Sequence, residues 1–120
     1  MTLSPAQWHA RYTRQAGWTA SLRSYLLERH GIAAARRVLD CGSGTGALEA
    51  SGGLGASFQG WLVGLDIDSA NLAYAKSLAP DAAWVQGDGL RLPFAAQSYD
   101  LVFCHFYLLW VADPLQALRE

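Results

Sequence analysis

Three aspartates, one glycine turn and one histidine hold most of the chemistry in this sequence. Asp40, Asp66 and Asp88 each follow an apolar stretch, Val38-Leu39, Trp61 to Leu65 and Ala83 to Val85, and His105 follows a fourth, Leu101 to Cys104. Gly42, Gly44 and Gly46 alternate directly behind Asp40. Val38 and Leu39 favour a buried strand, and glycines at alternate positions let the chain turn tightly and lie against a ligand with no side chain between. Ala47-Leu48-Glu49-Ala50 then favours helix. Strand, glycine turn and helix N-terminus in succession make the ligand-binding corner of a doubly wound α/β sheet.

The glycines do not name the ligand, because Gly42, Gly44 and Ala47 also satisfy the G-x-G-x-x-G/A spacing of dinucleotide enzymes. Asp40 discriminates. A carboxylate at the end of this strand repels a pyrophosphate and suits a ligand with positive charge. S-adenosylmethionine (SAM) is such a ligand, with a sulfonium, an ammonium, a ribose and an adenine but no phosphate. Asp66 lies about 20 residues past the last glycine, where a carboxylate accepts from both ribose hydroxyls, and Ile67 stands beside it. That spacing fits SAM and NAD equally. Methyl transfer from a sulfonium is an in-line displacement, so the protein has mainly to align the nucleophile with the methyl carbon and exclude water. A base is needed only if the nucleophile arrives protonated. His105 is the histidine placed for that work, since His9 and His30 lie far upstream.

Asp40 to Gly46, with Ser43 inside it, then Asp66, then Asp88-Gly89 followed by Leu92-Pro93-Phe94 and Ser98-Tyr99-Asp100-Leu101-Val102, occur in a characteristic order. In that order the chain resembles the class I SAM-dependent methyltransferases, in particular the branch of ubiquinone and menaquinone biosynthesis enzymes, over roughly residues 36 to 120. The resemblance implies that Asp88 accepts from the adenine amino group, with Gly89 beside it, and that His105 lines the pocket or offers its carbonyl to the SAM ammonium. It also implies that the segment before the first strand lies over the cofactor, so that Tyr12, Gln15 and Trp18 contact cofactor or substrate. His105-Phe106-Tyr107 departs from an Asn-Pro-Pro-Tyr pattern, which argues against methylation of amino groups on bases or glutamine. Against the family pattern the chain carries no fifth strand, so the expectation is the N-terminal part of such a domain, with an open sheet edge that favours a homodimer.

These residues need elements to position them. The expected fold is a Rossmann-like, doubly wound, mainly parallel α/β sheet in the order 3-2-1-4, preceded by a helical segment over residues 1–34. Ser4 and Pro5 read as a helix start, Gly17 as a division into two helices and Gly31 as the end of the second. Asp68 caps a helix that ends before Pro80, and Asp113-Pro114 opens a last one. Asp100 reads as structural, at the start of the fourth strand. Cys41 and Cys104 read as small buried apolar residues.

With 120 residues there is one domain, and 52% hydrophobic against 16% charged residues describes a compact core. A net charge of −1 gives no reason to expect nucleic acid. No apolar run is long enough to span a bilayer and no signal-peptide layout opens the chain, so a cytoplasmic setting without membrane contact is expected. Two cysteines supply neither a zinc site nor a disulfide framework, and no metal is expected. Three functions follow: a methyltransferase acting on a small molecule, a module that binds SAM or S-adenosylhomocysteine (SAH) or a protein partner without turnover, and, disfavoured by Asp40 and Asp88, an NAD-dependent oxidoreductase.

Overall fold

The computed structural model describes residues 2–120. Helix α1 (Pro5–Trp18) begins as its sequence demands, with Ser4 Oγ accepting from the Gln7 amide at 3.3 Å and the Gln7 side chain accepting from the Ser4 amide at 2.8 Å. Helix α2 (Ala20–Arg29) follows. The division falls at Thr19 and not at Gly17, which stays inside α1. Gly31, at φ +83, ends α2 in a Schellman motif: the Ile32 amide donates to Leu27 O at 3.0 Å and the Gly31 amide to Glu28 O at 3.2 Å. Leu27 and Ile32 are thereby drawn together into the core.

Four parallel strands follow: β1 (Arg37–Cys41), β2 (Trp61–Asp66), β3 (Ala83–Gln86) and β4 (Leu101–Phe103), ordered β3-β2-β1-β4 as expected. Helix α3 (Ala47–Ala50) is a single turn, α4 (Ser69–Leu78) starts on Asp68, and α5 (Pro114–Arg119) starts on Asp113. Asp68 accepts from the amides of Ala70 and Asn71, and Asp113 from that of Gln116.

The central strand β1 is covered on both faces, as parallel sheets require. Val38 and Leu62 meet Leu27, Ile32 and Leu54 on one face, while Leu39, Cys41 and Leu65 meet Leu92, Phe94 and Tyr99 on the other. Full burial of a side chain such as Leu39 or Leu65 is worth about 1.5–3 kcal/mol, which makes this pair of strands the mechanical base of the molecule. Asp100 ties the start of β1 to the start of β4. Its Oδ2 accepts from the amides of Arg36 (2.8 Å) and Arg37 (3.0 Å), and these bonds hold its carboxyl below the ordinary range. Strand register then brings Trp84, Gly64, Asp40 and Phe103 into one row across the sheet.

Gly64 and Gly46 exist for Trp84. A Cβ on Gly64 would collide with the Trp84 ring, and one on Gly46 (φ +73) would meet that ring at 2.9 Å and Ala75 at 3.1 Å. The Trp84 indole N–H donates to Ala79 O at 2.9 Å, which fixes the ring between α4 and the glycine turn.

Candidate functional site

A cavity of about 420 Å³ opens at the C-terminal edge of the sheet, where ligands bind in open α/β folds. Its floor is the glycine turn. The turn is held by its own amides: Gly42 and Ser43 donate to Leu65 O at 2.8 and 2.9 Å, Gly44 donates to Asp66 Oδ2 at 2.9 Å, and Gly46 donates to Ser43 O at 3.1 Å. Four of the five amides from Gly42 to Gly46 are therefore engaged inside the protein. An anion seeking a nest of free N–H groups does not find those four.

Carboxyls surround this floor instead. Asp40, Asp66 and Asp88 all line the cavity, at the ends of β1 and β2 and just beyond β3. Asp40 is 2% exposed; burial, and after it the neighbouring Glu49 carboxyl, push its pKa well above the ordinary value of 3.8. Both Glu49 oxygens are buried without a hydrogen-bond donor among the described residues, and Ser43 Oγ is likewise unpartnered. Asp66 spends one lone pair on each of two backbone amides, Gly44 through Oδ2 and Asp68 through Oδ1, both at 2.9 Å. Asp88 Oδ1 accepts from the Leu90 amide at 2.9 Å. Each carboxylate oxygen keeps acceptor capacity for a ligand.

Aromatic rings form the walls. Tyr12 lies over Gly44, 3.1 Å from where a Cβ would stand, and burial followed by the charges of Asp66 and Asp68 raises its pKa. Tyr107 lies against both Gly42 and Gly89, so that neither position has room for a side chain. Phe106, at φ +54, adopts the left-handed conformation that non-glycine residues rarely use, in the turn that carries Tyr107 back to the glycines. Trp8 stacks on Tyr12 with centroids 5.5 Å apart and meets Trp110 edge-on at 6.4 Å. The N-terminal helix and the segment after β4 thus touch across the cavity.

Most of the residues singled out in the sequence converge here: Tyr12, Gln15, Asp40, Gly42, Ser43, Gly44, Asp66, Ile67, Asp88, Gly89 and His105 all line the cavity. Trp18 does not. It is 69% exposed, at the last position of α1 and about 120° around the helix from Tyr12. Gly46 is also outside the lining, its place being set by Trp84 and Ala75. Cys41 is buried, and burial raises its thiol to about 11, but Cys104 is exposed. Residues not anticipated include Asn71 and Trp110, which line the cavity, and His9, whose Nδ1 lies 2.9 Å from Thr45 Oγ1 within the glycine turn. Helical spacing from Tyr12 back to Trp8 and His9 was the only available signal for the last.

With this geometry in view, the comparison with known families is decisive: residues 39–120 match the methyltransferase domain model. The chain belongs to that methyltransferase family. This methyltransferase-family chain is 40% identical over 85 residues (68% of the chain, 38% of the relative) to 2-phytyl-1,4-naphtoquinone methyltransferase of Thermosynechococcus vestitus. It is 35% identical over 107 residues (87% and 43%) to demethylmenaquinone methyltransferase of Renibacterium salmoninarum. Among solved structures it resembles a SAM-bound amino pentose methyltransferase of calicheamicin biosynthesis from Micromonospora echinaspora, with a TM-score of 0.66, 27% identity, and coverage of 92% of this chain and 46% of that one. The chain spans less than half the length of each of these proteins.

Proposed function

We propose that this chain binds SAM and serves transfer of its methyl group to a small, lipophilic acceptor. The observation that carries this reading is the electrostatics of the floor: four of its five turn amides are engaged internally and the Asp66 and Asp88 carboxylates face in, while Asp40, held toward its neutral form by burial, lies beneath them. A dinucleotide pyrophosphate would meet negative charge there, whereas a sulfonium and an ammonium are attracted. The fit extends to the orphaned Ser43 Oγ, which has a lone pair and a proton to offer. In this reading Asp66 holds the ribose hydroxyls, with Ile67 against the nucleoside, Asp88 and Gly89 hold the adenine, and Tyr12 covers the cofactor. Bound SAM supplies the electrophilic methyl carbon; the protein aligns the acceptor and keeps water out. Phe106, Tyr107 and Trp110 offer that acceptor an apolar wall, in keeping with the naphthoquinone and menaquinone named for the relatives.

Calorimetric titration with SAH, with NADH as the control, tests the cofactor. Micromolar SAH binding, about −8 kcal/mol, is expected; binding of NADH alone would sink the proposal. Transfer of labelled methyl to a reduced naphthoquinone tests the acceptor class.

The proposal includes a second copy on the open edge of β4. Among the described residues that strand pairs with β1 alone, and Val102 on it and Leu109 and Trp110 after it are 55%, 66% and 67% exposed. Light scattering should report a dimer, and a monodisperse monomer would exclude it. No helix among the described residues is long and apolar enough to cross a membrane, and the setting proposed for the reaction is the cytoplasm, where both free thiols stay reduced.

A further inference from the structure

His105 is connected to the N-terminal helices by a chain of side-chain hydrogen bonds. Its Nε2 lies 2.7 Å from Thr19 Oγ1. The same hydroxyl oxygen accepts from Arg23 Nη1 at 3.1 Å, and Arg23 is itself anchored, donating from Nη1 to Ala16 O at 2.9 Å and from Nε to Gly53 O at 3.1 Å. An arginine always donates, so Thr19 Oγ1 is an acceptor toward Arg23. A second lone pair on that oxygen could also accept, but its hydroxyl proton has no other acceptor among the described residues, so donation to His105 Nε2 is the arrangement that satisfies it. A lone pair on Nε2 leaves the ring proton on Nδ1.

We propose that Arg23 and Thr19 hold His105 as a neutral imidazole protonated at Nδ1, so that it serves the cavity as a hydrogen-bond donor and not as a general base. In this tautomer neither nitrogen has a free lone pair: Nε2 is engaged by Thr19, and Nδ1 carries the proton. With His105 unavailable as a base, the site suits an acceptor that reaches the methyl group with its nucleophilic atom already deprotonated, such as a carboxylate or a phenolate. Thr19 and Arg23 are positioning residues, acting on the reaction through His105. Neutrality has a second support, since burial, and after it the Arg23 charge, hold His105 below its ordinary value of 6.5. The tautomer rests on the hydrogen bonds alone, while its meaning for the acceptor rests on the methyltransferase reading.

The test is the imidazole nitrogen spectrum of the full chain labelled with ¹⁵N-histidine. Its three histidines are assigned with H105Q. At pH 7.5 the expected pattern for His105 is a pyridine-type Nε2 and a pyrrole-type Nδ1. T19V should shift Nε2 toward the pyrrole-type position usual for histidine in water, and T19S should restore the parent pattern. A pyrrole-type Nε2 in the parent, or a T19V spectrum that keeps the parent pattern, overturns the proposal. Should T19V not fold, the parent and T19S spectra decide, since both must show the pyridine-type Nε2. SAH titration of the same samples reports separately on the cofactor reading, so failure of one is not mistaken for failure of the other.

Discussion

Asp66 is the residue at which stability and binding are most tightly joined, and its replacement separates them. Its carboxylate accepts from Gly44 N and Asp68 N at 2.9 Å each, so it clamps the glycine turn to the end of β2 before any ligand arrives. A hydrogen bond to a charged group contributes roughly 1.5–3 kcal/mol; with Asp66 half-buried, water replaces part of that, and about 2–3 kcal/mol in total is expected to be lost in Asp66→Ala. That corresponds to a fall in Tm on the order of 10 °C for a domain of this size. If Asp66 also holds the ribose, SAH binding should weaken by about 1.5–3 kcal/mol, tenfold to a hundredfold, measured where the variant remains fully folded. Asp66→Asn keeps one carbonyl-type oxygen and should recover part of the stability, because one of the two amides regains its acceptor. Urea denaturation and calorimetry at one pH and temperature read the two quantities on the same samples. An Asp66→Ala variant with parental stability would refute the clamp, and one with parental SAH affinity would refute the ribose assignment.

Gly46→Ala should lose about 2 kcal/mol or more in urea denaturation, because φ +73 and contacts at 2.9 and 3.1 Å leave no room for the methyl group; SAH affinity of the folded fraction should stay at the parental level. Trp18→Ala should leave SAH affinity unchanged while Tyr12→Ala weakens it severalfold, which equal effects of the two would contradict. Asp40 predicts a pH dependence of stability. Its folded pKa lies well above the ordinary 3.8, so as pH rises the unfolded chain releases the proton first, and Asp40's contribution falls from about pH 4 up to the raised folded value. Asp40→Asn should flatten that slope above about pH 4 in urea midpoints, and an unchanged slope would place the titration elsewhere.

Strand identity was legible because each strand announces itself within a few residues. Val38-Leu39 and Leu62 to Leu65 are apolar runs closed by an acid, the pattern of strands buried on both faces, and Trp84-Val85 is a shorter apolar run ahead of Gly87. Ser4, Gly31, Asp68 and Asp113 marked helix ends through hydrogen bonds that reach only two to five residues along the chain. The cavity's acids were legible for the same reason: in a parallel sheet, residues that follow each strand collect at one edge.

What depended on distant partners was not legible. The glycine at position 46 was read as facing a ligand, yet Trp84, on β3, decides its role. Gly42 has the spacing of a glycine that lies against a ligand, but Tyr107, on the turn after β4, is the neighbour that lies there in this structure. His9 was set aside as remote, although it lies 36 residues from Thr45 in sequence and 2.9 Å away in space. Trp18 belongs to the same N-terminal segment as Tyr12, yet it stands exposed at the end of α1, outside the cavity lining.

The sequence by itself determined the strands and the three aspartates that follow them, because local hydrophobic runs, caps and glycine turns specify these with few alternatives, while the strand order was implied by the family resemblance. Only the tertiary structure decided that the amides of the glycine turn are already engaged, that Tyr107 and Tyr12 lie against Gly42 and Gly44, and that Arg23 reaches His105 through Thr19. Those contacts join segments tens of residues apart. Their geometry follows from how helices rotate and rings pack once the sheet has formed, a cooperative outcome that no short stretch of residues encodes.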